Sequence, residues 1–225
     1  MDHGGLSDTQ RALARGWFGY GRWDAPFWFV GIEPGGDELA ECVRLWKRLG
    51  ESELLDIAAH HEEHSKDWFS ESAGTQSTWC KLIWLLLSYH GEEPSRDATR
   101  TYQKTRLGRI ADETALLEIS CIPAKHNGVV VPREIFRDER IATIRERMLQ
   151  YAPRFVVFYS PDSRYRVAWS KIAGRELSRG EPQLIGRTVC VVTYHPNGKR
   201  DKAYWRDMGA KMRGLVDDAD VCCDN

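Results

Sequence analysis

Four short apolar runs, each cut off by proline or glycine, leave this chain little choice of fold. Phe27-Trp28-Phe29-Val30-Gly31-Ile32 ends in Pro-Gly-Gly, and Ala115 to Ser120 ends just before Pro123. Phe155 to Tyr159 follows Pro153 and stops at Ser160-Pro161, and Thr188 to Tyr194 runs into His195-Pro196. Continuous apolar runs of this length suit strands buried on both faces of a parallel sheet. The stretches between them carry apolar residues at helical spacing. They are Asp37 to Leu49, Trp79 to Tyr89, Arg133 to Tyr151, Ser163 to Ala173 and Lys202 to Val216. Strands alternating with helices predict an α/β protein, a three-layer α/β/α sandwich around a four-stranded, mostly parallel sheet. At 225 residues the chain has room for one sizeable core, so a single domain over 1–225 is expected. A polar tail from about residue 218 is expected to be disordered.

The balance of 32 Lys and Arg against 33 Asp and Glu gives a net charge of −1, so any contact with nucleic acid must be a local patch. No apolar run reaches the roughly 18 residues a membrane span needs. The N-terminal residues lack the basic and apolar regions of a signal peptide. The six cysteines (Cys42, Cys80, Cys121, Cys190, Cys222 and Cys223) form no C-x-x-C pair, which fits reduced thiols in a cytoplasm.

In sheets of this kind ligands bind beyond the carboxyl ends of the strands, and two loops lie there. In Gly31-Ile32-Glu33-Pro34-Gly35-Gly36, Pro34 fixes the backbone and the glycines permit close approach to a ligand. Glu33 sits at the mouth of the sheet with Asp37 one turn on, and such carboxylates can orient water and stabilise a cationic, oxocarbenium-like transition state. A plain turn with Asp37 as a helix cap is the alternative. In His195-Pro196-Asn197-Gly198-Lys199-Arg200, the imidazole can hydrogen-bond negative charge on a departing group. Lys199 and Arg200 open a basic stretch with Lys202, Arg206, Lys211 and Arg213, part of which is solvated surface.

A strand ending in Gly-x-x-Pro-Gly early in the chain and one ending in His-Pro-x-Gly late in it resemble the uracil-DNA glycosylase superfamily, whose fold is likewise a parallel sheet in an α/β/α sandwich. The resemblance runs in order along most of the chain, and only the two loops are specific. It implies DNA as partner and excision of a flipped-out base; no cofactor is expected here. Glu33, with Asp37, would position the hydrolytic water, and His195 would stabilise the leaving base. Lys199 would take the place of the wedge that fills the vacated stack. Gly31, Ile32, Pro34, Gly35, Glu118 and Ser120 would surround the base. Lys125, His126 and Asn127, after the second strand, would contact DNA together with Asn197, Gly198, Lys199 and Arg200.

The departures carry their own expectations. Glu118 falls where many members have a base-reading Asn, and an ionised carboxylate suits the exocyclic amine of cytosine. Equally, Glu118 could face a buried network or solvent. Gly35 replaces a Tyr that excludes 5-substituted bases, which leaves room for a bulky substituent. The expected substrate is therefore a modified or damaged pyrimidine, such as a hypermodified phage cytosine, with an anti-phage role. Uracil excision in repair, a non-catalytic sensor of modified DNA, and an enzyme acting on free nucleosides are the alternatives. An iron–sulfur cluster is not expected, because Cys121 lacks a C-x-x-C partner. His60-His61-Glu62-Glu63-His64 fails the zincin pattern, since His61 stands where Glu is needed; a charged, solvated helix or loop is expected, with no metal. Five arginines between Arg133 and Arg147 are offset by acids, which predicts a mixed surface helix.

Overall fold

The computed structural model describes residues 5–35, 38–64, 67–123, 134–160 and 163–223, with side chains as far as 216. In chain order α1 (Asp8–Gly16) leads into β1 (Gly19–Tyr20) and β2 (Phe27–Gly31), followed by α2 (Leu39–Arg48), β3 (Leu54–Leu55) and α3 (Ile57–Glu63). Next come α4 (Ser77–Tyr89), α5 (Arg96–Thr105), β4 (Thr114–Glu118), α6 (Arg137–Tyr151) and β5 (Phe155–Tyr159). After a 3-10 turn, α7 (Arg166–Ala173), β6 (Gln183–Ile185), β7 (Thr188–Thr193) and α8 (Lys202–Cys223) complete the chain.

The sheet has seven strands in the order β3-β1-β4-β2-β5-β7-β6, not the four expected. The four long apolar runs form its middle, where β4, β2, β5 and β7 are mutually parallel. Antiparallel pairs of β1 with β4 and of β6 with β7 extend it at both sides, so the sheet is mixed. The helix α8 runs to Cys223.

Alternation along the strands sorts the core into two layers. Phe27, Phe29, Phe155, Val157, Val189 and Val191 face α4, α5 and α8. Trp28, Val30, Val156, Phe158, Cys190 and Val192 face α6 and α7. Register places Phe27 opposite Phe155, and their rings stack with centroids 4.7 Å apart. Each large side chain buried in this way contributes about 1.5–3 kcal/mol. On the first face α8 crosses close against α4, and Gly209 makes this possible: a Cβ there would lie 2.1 Å from the Leu85 carbonyl oxygen. A smaller cluster around Leu13, Trp17, Trp46 and Phe136 seats α1 and α2 beside the short strands. Among the described residues no helix is long and apolar enough to cross a membrane.

Two surface expectations are corrected by this packing. His60 is 4% exposed, with its ring stacked on Trp17 and its Nδ1 3.2 Å from the Tyr20 hydroxyl. The histidine run is thus a helix with one buried member, held by aromatics distant in sequence. Arg140 is 1% exposed, although α6 reads as mixed surface. Its guanidinium lies over the Phe18 ring and donates to the carbonyl oxygens of Ala14 and Glu118, which lets a charged group sit in the interior.

Candidate functional site

Strand β2 lies between β4 and β5, and its last residue is Gly31, paired in register with Glu118. The absence of a side chain at Gly31 allows two neighbours to meet above it. A Cβ at that position would lie 2.5 Å from Glu118 Oε2 and 2.6 Å from the Tyr159 hydroxyl. The hydroxyl of Tyr159 donates to Glu118 Oε1 at 3.4 Å, and Oε2 is shut off from solvent with no hydrogen-bond partner. Burial, and next the Glu33 carboxylate, push the Glu118 acid up to about 8. The hydroxyl of Tyr159 and then Arg140 act in the opposite direction without cancelling them. Arg140 donates to the backbone carbonyl oxygen of Glu118.

Tyr159 also touches the second loop. Its ring meets that of His195 edge to face, with centroids 5.8 Å apart. The backbone N–H of Asn197 donates to His195 Nδ1 at 3.1 Å, which leaves Nε2 to carry the proton of the neutral ring. Burial, and secondly the nearby Lys81 ammonium, push His195 below the ordinary histidine range. The imidazole is therefore a neutral N–H donor near pH 7. Helix α4 fixes this loop: Ser77 Oγ donates to Asn197 Oδ1 at 2.8 Å and Lys81 Nζ donates to the Gly198 carbonyl at 2.9 Å.

The two loops named from the sequence are thus linked through Glu118 and Tyr159 at the carboxyl ends of β2, β4, β5 and β7. Ile32 and Ser120 hold the first loop in place, since Ser120 N–H donates to the Ile32 carbonyl oxygen at 2.9 Å. The Ser120 hydroxyl is buried and accepts from Ile122 N–H, so it shapes the turn. Pro34 and Gly35 follow on the rim, and a Cβ at Gly35 would meet open space. Asn197, Gly198, Lys199 and Arg200 are exposed, with the Arg200 guanidinium 4.1 Å over the Tyr194 ring. Of the basic stretch beyond, Lys202 and Arg206 both pair with Glu93, whose single charge offsets part of theirs. Asp37, Lys125, His126 and Asn127 lie outside the described residues.

Sequence reasoning missed Tyr159, Lys81 and Ser77. Tyr159 had a signal: it is the one hydroxyl in an otherwise apolar strand, at the end that faces the site. Lys81 and Ser77 had none, because their roles depend on how α4 meets a loop more than a hundred residues away. Among the described residues no group of three or more His, Cys, Asp or Glu is placed to hold a metal ion. Cys121 is buried and its thiol is pushed up to about 11, mainly by that burial. No protein-family model matches this chain, and no curated protein matches its sequence.

Proposed function

We propose that this protein is a DNA glycosylase that hydrolyses the N-glycosidic bond of a modified or damaged pyrimidine. The observation that carries the reading is His195, held neutral with Nε2–H as its donor and linked by Tyr159 to a strand-end carboxyl group. A flipped-out nucleotide would place its base against β2 and β4 and its sugar toward the first loop. Glu33 takes a proton from water as the water oxygen bonds to C1′. The electron pair of the C1′–N1 bond leaves on the pyrimidine, and His195 Nε2–H donates to the negative oxygen that results. Lys199 and Arg200 hold the DNA strand at the exposed loop tip. The open space beside Gly35 supports a base with a bulky 5-substituent. Such bases mark phage DNA, and the reading extends to an anti-phage role.

Mass spectrometry of bases released from duplexes carrying uracil, 5-hydroxymethylcytosine or its glucosylated form tests the proposal. Glu33→Ala is expected to slow release by about 10²–10⁴-fold with DNA binding kept. His195→Ala is expected to slow it by about 10²–10³-fold. Turnover equal to wild type in both variants refutes the assignment.

A further inference from the structure

Three features of Glu118 bear on its role. Its Oε2 is covered and has no partner. Among the described residues its neighbours supply little compensating charge, Arg140 alone acting from a distance. Glu33 from the first loop is itself acidic, and Tyr159 from β5 offers one hydroxyl to Oε1. Arg140 from α6 uses its guanidinium on backbone carbonyls, and His195 meets the Tyr159 ring edge to face. Strand β2 carries a glycine at the one place where any side chain would separate Glu118 from Tyr159. A carboxylate in such surroundings bears a desolvation penalty and repulsion from Glu33; a neutral carboxylic acid bears a smaller penalty and no repulsion. Because Tyr159 donates to Oε1, the acid proton belongs on Oε2. A base that opens the space between Glu118 and the first loop would supply the hydrogen bond that Oε2 lacks.

We propose that Glu118 reads the base as a neutral acid, its Oε2–H donating to ring N3 of a cytosine-type pyrimidine while Oε1 accepts from the exocyclic amine beside it. This rests on the glycosylase reading for the arrival of a base at the site. The pairing is complementary at both positions. A uracil-type ring presents N3–H to Oε2–H and O4 to Oε1, so both contacts are mismatched. The displaced acidity of Glu118 agrees with this geometry and sets a window for testing it. Tyr159 is raised well above its ordinary range and His195 is lowered, so both are displaced away from this window.

Two measurements test the proposal separately from the glycosylase reading. The first uses the free protein: NMR follows the Glu118 side-chain carboxyl carbon against pH, and chemical shifts at the site follow added free cytosine or uracil. The expected result is a carboxyl group still protonated at pH 7 and a site that binds cytosine in preference to uracil. The second is single-turnover release from cytosine-type duplexes by wild type and Glu118→Gln, whose amide keeps one donor and one acceptor. Wild-type release is expected to fall about tenfold from pH 6.5 to 9, whereas the glutamine variant is flat across that range and within about fivefold of wild type at pH 6.5. A carboxyl group ionised by pH 5, equal binding of the two bases, or no binding of either overturns the proposal. Release that rises with pH, or a glutamine variant inactive at pH 6.5, does the same. A wild type that releases no base from any duplex but binds cytosine with a protonated Glu118 overturns the glycosylase reading alone.

Discussion

Replacing Glu118 by glutamine should stabilise the free protein, and should do so only as the pH rises. In the folded state the Glu118 acid is displaced from 4.5 to about 8. Below the unfolded value both states are protonated and the residue costs nothing. Between the two values the unfolded chain ionises while the folded one keeps its proton, and stability falls with pH. Above the folded value the loss is complete. One unit corresponds to about 1.4 kcal/mol, so the displacement amounts to about 5 kcal/mol at most. Domains of this kind are stable by only about 5–15 kcal/mol, so a loss of that order is readily measured. The assay is urea unfolding of wild type and Glu118→Gln at pH 5, 7 and 9. Titrating groups distant from Glu118 contribute equally to both proteins and cancel in the difference. The advantage of the glutamine variant should be small at pH 5 and reach several kcal/mol at pH 9, with unchanged m values. A difference that stays flat or reverses sign would show that Glu118 is ionised in the folded protein.

Two further perturbations address the supports of the site. Gly31→Ala should destabilise by about 1–3 kcal/mol, because its Cβ must displace Tyr159 or Glu118, whereas Gly35→Ala should stay within about 0.5 kcal/mol. Thermal unfolding of the pair decides this, and equal effects would count against the close approach above β2. Lys81→Met should move the His195 imidazole back up toward its ordinary range, since burial remains but the ammonium does not. NMR titration of the ring reads the shift; a downward movement would contradict the electrostatic account.

How much could be read in advance depended on the kind of interaction involved. The central strands were legible because they are buried on both faces and leave continuous apolar runs; β5 begins and ends where the sequence places it. The edge strands β1, β3 and β6 were not, since two or three residues carry no periodicity and owe their state to hydrogen bonds with a neighbour. Helix α5 is amphipathic but strongly polar, and its buried Thr99 and Gln103 disguise its inner face. At the site, Gly31 and His195 announced themselves through the loops that follow strands. The meeting of Glu118 with Tyr159 did not, because it follows from strand order: β2 lies between β4 and β5 and is the strand that ends in glycine. His60 and Arg140 were read as surface because each has polar neighbours in sequence, while the aromatic rings that cover them come from elsewhere.

Tyr159 makes one hydrogen bond to Glu118 and one ring contact with His195. Through it, the side of the site assigned to the base edge and the side assigned to the leaving charge share a single rigid aromatic ring. Substitutions on the two sides are therefore not independent. Free-energy effects at Glu118 and His195 should fail to add, with the discrepancy vanishing once Tyr159 is truncated. Recognition and departure of the base would then behave as one thermodynamic unit, in which a poorly matched edge also weakens the grip on the leaving group.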